Sequence, residues 1–163
     1  MLRSRSGRAL AAAAAVSVAL ATSAFTFLSD PRPAQLDRQV LHWIGVEETS
    51  TQTPTARIGD TWTIYRKLYQ AKDGKPGRRI GETSSQCSVV HVTRGGLVSH
   101  CHGIAQTKDG SINMGSMQDR SGPGPYTWTA AVLGGTGAYR GATGEARLTR
   151  HDKYTVFEIS LDD

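Results

Sequence analysis

Thr61-Trp62-Thr63-Ile64-Tyr65-Arg66-Lys67-Leu68-Tyr69 alternates along its whole length. Trp62, Ile64, Arg66 and Leu68 fall on one face while Tyr65 and Tyr69 fall on the other, and a period of two marks a strand with one buried face. Working outward, turn residues cut the chain from His42 onward into eight extended segments. Upstream lies a strand over about 42–52, closed by the polar run Thr53 to Arg57. Downstream, Asp73-Gly74-Lys75-Pro76-Gly77 supplies turn chemistry before a third strand at about Ile80 to Thr93. Arg94-Gly95-Gly96 then turns onto Leu97 to Thr107, and Asp109-Gly110 onto Ser111 to Gln118. A sixth strand, Tyr126 to Leu133, runs into the dense glycine corner Gly134 to Gly141. Glu145 to Arg150 and Tyr154 to Leu161 complete the set around His151-Asp152-Lys153. No long window carries a 3.6-residue period, so the class is all-β with antiparallel neighbours, a barrel or a sandwich. An eight-stranded barrel is just wide enough to hold side chains or one small ligand.

The chain has 163 residues, enough for one ordinary domain. With 38% hydrophobic and 20% charged residues it is neither a multi-span membrane protein nor a charged disordered one. Arg3, Arg5 and Arg8, the Ala-, Val- and Leu-rich stretch Ala9 to Ala21, and small residues through Ala24 make the pattern of a secretory signal peptide over 1–24. An uncleaved anchor continuing through Leu28 is the alternative. Residues 25–41, with Pro31 and Pro33, read as a spacer, and 42–163 as the folded domain. Without the three leader arginines, 16 basic residues face 14 acidic ones, and no basic run argues for nucleic acid. Export would place Cys87 and Cys101 in an oxidising compartment.

Cys87 and Cys101 flank the Arg94-Gly95-Gly96 turn, so a cross-strand disulfide is one expectation and a free thiol in a cavity the other. His100 and His102 share a strand face, but Cys101 between them points away and no spacing signals a third ligand, so no metal is expected. The glycine corner lacks the helix and parallel unit of a dinucleotide fingerprint. There is no G-x-S-x-G elbow either. Arg66 on the Trp62 and Ile64 face is the informative residue, because a buried guanidinium needs a partner. Glu158, on the face with Tyr154 and Val156, is a candidate partner. Trp62, Ile64, Arg66, Tyr126, Trp128 and Glu158 make up the expected ligand cavity, and Arg66 would suit an anionic or enolate oxygen.

Several of these motifs together resemble the allene oxide cyclase barrel, the fold shared with dirigent proteins. Gly59-Asp60 through Lys67-Leu68-Tyr69, then Arg79-Ile80-Gly81 and Cys87-Ser88-Val89-Val90, are similar to the cyclase stretch that runs G-D, K-L-Y, R-L-G and C-V-L. The glycine corner, continuing through Ala142-Thr143-Gly144-Glu145-Ala146, is similar to the glycine hallmark of both groups. The resemblance implies an eight-stranded antiparallel barrel. It also implies a cofactor-free cyclase, isomerase or stereocontrol protein for an apolar or phenolic metabolite, assembled as a trimer. It matches Cys87 to a cavity cysteine, and puts Arg66 where the plant cyclases carry an asparagine and Glu47 or Glu48 near their glutamate. Arg66 and Cys87, the latter as a free thiol, are thus the expected catalytic residues. The arginine implies a substrate other than that of the plant enzymes, or a non-catalytic binder of a hydrophobic ligand, or a filled barrel that works through its surface.

Overall fold

The computed structural model describes residues 39–162. The leader over 1–24 lies outside them. Eight strands follow in order: β1 Gln39–Ser50, β2 Thr61–Lys72, β3 Lys75–Thr93, β4 Gly96–Thr107, β5 Gly110–Ser121, β6 Tyr126–Gly135, β7 Thr143–Arg150 and β8 Tyr154–Asp162. Each pairs with the next, and β8 returns antiparallel to β1, closing a barrel in sequence order. Closure leaves no sheet edge unpaired.

The period of two in β2 becomes strict alternation, with Trp62, Ile64, Arg66 and Leu68 buried in the lumen. Two boundaries differ from the sequence reading. β3 begins at Lys75, because Asp73 and Gly74 alone make the turn, with φ of 50° and 72°, and two successive residues with φ > 0 suit a two-residue hairpin. Pro76 faces Ala71 beside that turn, where a strand tolerates proline. β1 begins at Gln39, inside the stretch read as a spacer, since Gln39 to Leu41 pair with Ile159 to Leu161.

The two ends of the barrel are built differently. At one end, here the floor, the glycine corner forms a single 3-10 turn, Gly137–Tyr139. Gly137 has φ of 60° and a Cβ there would strike the Asp109 carbonyl, so the close approach requires glycine. The turn delivers Tyr139 into the lumen, where its ring meets Trp43 edge-on at 6.3 Å. Around them Leu68, Ala105, Ile112, Val132, Ala146, Ile159 and Leu161 fill the interior. The other end, the mouth, carries the β1–β2 connection and the turns at Arg94–Gly95, Gly122–Pro125 and His151–Lys153. Its interior mixes a small apolar cluster of Trp62, Ile64, Val89 and the two cysteines with buried Arg66, Thr83, Ser99, Gln118, Arg120 and Thr155.

Candidate functional site

Register explains how Arg66 enters the lumen. It faces Glu47 of β1, two residues along from the Gly45↔Leu68 pair. A Cβ on Gly45 would lie 3.0 Å from the Arg66 Cδ and 2.9 Å from a Phe157 ring carbon. Glycine at position 45 therefore makes room for the arginine stem beside the Phe157 ring. Arg66 is only 5% exposed, and its Nη1 donates to Ser85 Oγ at 3.4 Å, while its Nε has no partner. Burial, reinforced by the charge of Arg150, lowers its pKa to about 10, so it stays protonated at neutral pH.

Arg66 lines an internal cavity of about 40 Å³ with Ser85, Trp128, Arg150, Thr155 and Phe157. Ile64, Met114, Ala130, Leu148 and the Cys87–Cys101 disulfide supply its apolar walls, and Thr83, Ser116 and Gln118 further polar groups. The lining contains no Asp, Glu or His. A water needs at least about 10–15 Å³ by this measure, so the space takes about three water-sized groups.

Two further arginines converge on the same half. Arg120 on β5 reaches across the mouth to the β1–β2 connection, where its Nη1 donates to Gln52 Oε1 at 3.1 Å. Its guanidinium lies over the Trp62 ring at 5.0 Å, a cation–π contact. Burial, again with Arg150 as the next cause, lowers its pKa to about 10. Arg150, the last residue of β7, pairs with Glu47 at 3.0 Å, both groups largely buried.

The structure places the sequence-expected residues unevenly. Ile64, Arg66 and Trp128 line the cavity. Trp62 is buried beside it, under Arg120. Tyr126 stands at the rim, and its hydroxyl donates to the Gly122 carbonyl at 2.7 Å. Glu158 is corrected outright: it is exposed on the outer wall near Arg147 and His42, and has no contact with Arg66. The apolar set Phe157, Ile159 and Leu161 takes the lumen with Thr155, and period two sends Tyr154, Val156 and Glu158 outward. The free-thiol role of Cys87 is also corrected, because Cys87 and Cys101 pair directly across β3 and β4 and are disulfide-bonded. His100 and His102 are exposed on the opposite side of β4 from that disulfide. Of the two candidate glutamates, Glu48 lies outside in an exposed pair with Lys67 at 2.8 Å, and Glu47 faces the arginines.

Arg120, Arg150 and Gln52 were not among the expected site residues. Alternation from Ala146 and Leu148 carries a signal for Arg150, and extending the fifth strand past Gln118 carries one for Arg120.

A family model described as the allene oxide cyclase barrel like domain matches residues 42–161. The chain belongs to this family. No curated protein matches the chain. Among solved structures, this allene oxide cyclase-like barrel is similar to a pyocyanin demethylase at 19% identity and a TM-score of 0.59, covering 75% of this chain and 99% of that one. It is similar to the pterocarpan synthase dirigent protein at 14% identity and a TM-score of 0.56, covering 83% and 97%. It is also similar to a Diels–Alderase from Streptomyces koyangensis at 13% identity and a TM-score of 0.55, covering 80% and 71%. At these identities the likeness is one of fold. No helix among the described residues is long and apolar enough to cross a membrane.

Proposed function

We propose that the chain is exported behind a cleaved leader over 1–24. In this reading its barrel over 42–163 takes a small apolar or phenolic metabolite and steers its cyclisation, isomerisation or coupling without a cofactor. The observation that carries the reading is Arg66, a buried guanidinium on an apolar face that lines an internal cavity beside Trp128 and Phe157. A charge buried this way costs stability, and departures of that kind concentrate at functional sites. The fold likeness to a pyocyanin demethylase, a pterocarpan synthase dirigent protein and a Diels–Alderase supports a reading in small-molecule chemistry. The disulfide supports export. A trimer is the assembly the family resemblance implies, and light scattering reads it directly.

The lining narrows the chemistry. With no carboxylate, imidazole or free thiol on the cavity wall, the site suits reactions in which the substrate's own bonds reorganise. Such reactions need orientation and exclusion of water more than proton transfer by the protein. A metabolite larger than the present cavity enters by moving side chains at the mouth, where Arg120 is held by one hydrogen bond to Gln52 and by its stacking over the Trp62 ring. The same lining favours a second reading, a binding protein that performs no reaction.

A thermal-shift screen of the full chain against epoxy and oxo fatty acids, phenylpropanoids and polyketide-like lactones tests the reading. A ligand at about 100 times its dissociation constant adds about 2.7 kcal/mol, a shift of roughly 5–10 °C at this size. Chiral analysis of the product from each hit then separates the two readings. An excess of one stereoisomer over the uncatalysed mixture is expected for a stereocontrol protein, and an unchanged mixture for a carrier. Silence across the whole screen with folded protein would move the function to the barrel's surface.

A further inference from the structure

Three guanidinium groups meet at the mouth half, and one carboxylate answers them. The charges of Arg66 and Arg120 are both felt against that of Arg150, and the carboxylate whose charge reaches them is Glu47. Glu47 makes its 3.0 Å contact with Arg150 and none to the other two. The hydrogen-bond inventory leans the same way. Arg66 Nε, Arg120 Nε and Nη2, Trp62 Nε1 and Trp128 Nε1 are buried without partners. These five are donors whose groups accept nothing, and Thr155 Oγ1 on the cavity wall, likewise buried and unpaired, can donate or accept. Leaving buried donors unpaired is costly, and these five stand on Arg66 and Trp128 of the cavity wall and on the Arg120–Trp62 pair beside it, where an acceptor with a negative charge would satisfy them.

We propose that the mouth half is a receptor for an organic monoanion: a carboxylate, or an ionised enol or phenol, on an apolar body. This rests on the reading of the lumen as a small-molecule site and names the ligand's charge. Arg66 on β2, Arg150 on β7 and Trp128 on β6 all line the cavity that the oxyanion would enter. Arg120 supplies the third positive charge from above the Trp62 ring. Ile64, Met114, Leu148 and Phe157 receive the apolar body. Room for about three water-sized groups takes the oxyanion head alone, so the apolar body is seated as side chains at the mouth move aside, and Glu47 competes for the same arginines as an internal stand-in. Removing that glutamate's charge therefore strengthens the site, whereas removing an arginine weakens it.

The test titrates the full chain with benzoate and with its neutral isostere benzamide at fixed ionic strength, following tryptophan fluorescence. Benzoate is expected to bind about ten- to a hundredfold more tightly than benzamide, the range of a charge-assisted hydrogen bond. Arg66→Gln is expected to remove that preference, and Glu47→Gln, which keeps all three arginines, to tighten benzoate severalfold. Should Arg66→Gln not fold, the direction of the Glu47→Gln effect decides alone. Equal binding of benzoate and benzamide, or weaker benzoate binding by Glu47→Gln, overturns the anion receptor and leaves the small-molecule lumen standing. Failure of both probes while a neutral ligand from the screen binds has the same meaning. Failure of both probes and of every screened ligand overturns the receptor and the lumen reading together.

Discussion

The floor and the mouth of this barrel are made from the same eight strands and solve opposite problems. At the floor, Trp43, Tyr139 and their aliphatic neighbours fill the lumen, and the glycine corner folds in to seal it. At the mouth, the same inward positions of β2 and β7 carry Arg66 and Arg150 on the wall of a small cavity, and β5 carries Arg120 over the Trp62 ring beside it. Packing apolar side chains is worth about 25 cal/mol per Å² of area removed from water, while desolvating a guanidinium costs several kcal/mol that one carboxylate only partly offsets. The floor therefore holds the fold together, and the mouth draws on that stability to keep charge where a ligand can use it.

The two halves should respond in opposite ways to substitution. The largest effect belongs to the floor: Trp43→Ala removes a 5% exposed ring that Tyr139 packs against, and denaturant unfolding should show a loss of about 3–5 kcal/mol. Reducing the Cys87–Cys101 bond, or replacing both with serine, opens a loop spanning a sequence separation of 14. By the chain-entropy estimate it should cost about 3 kcal/mol. A verified reaction should survive this change, since no free thiol serves it.

Arg66→Met should behave in the contrary sense, leaving the fold unchanged or up to about 2 kcal/mol more stable while removing the preference for an anionic ligand. That difference from the native chain should also depend on pH. The folded-state pKa of Arg66 sits near 10, below the ordinary guanidinium range, so between the two the unfolded chain holds more protons and stability rises with pH. The gain from Arg66→Met should be constant up to about pH 9 and shrink above about pH 10, as unfolding of both chains in parallel would show. Glu158→Gln, on the exposed outer wall, should change stability by less than about 0.5 kcal/mol and leave ligand binding as it was.

Much of the barrel was legible because β structure writes itself into sequence with a period of two. The alternation of Thr61 to Tyr69 put Arg66 on the face of Trp62, Ile64 and Leu68, while a surface-facing arginine stayed compatible with it until closure turned that face into the lumen. β8 was harder: Tyr154, Val156 and Glu158 alternate as plausibly as Thr155, Phe157 and Ile159. The choice falls to the second set only when the barrel closes and its apolar rings need the lumen. For Cys87 and Cys101 the hairpin put the two residues near one another, and the exact register that sets them face to face comes from pairing across β3 and β4. The arginine trio was hidden for a related reason. Arg66, Arg120 and Arg150 stand on β2, β5 and β7, and nothing local to any of those strands says that their side chains meet across a closed interior.

The chain's three tryptophans offer the most direct test of the division between halves. Trp43 lies at the floor, and Trp62 and Trp128 lie at the mouth with their indole N–H groups unpaired. In a ¹⁵N-labelled sample, the indole N–H signals followed through a benzoate titration should show Trp62 and Trp128 moving together to saturation while Trp43 stays in place. Saturable binding that moved Trp43 and left Trp62 and Trp128 unchanged would place the ligand site at the wrong end of the barrel and contradict the account.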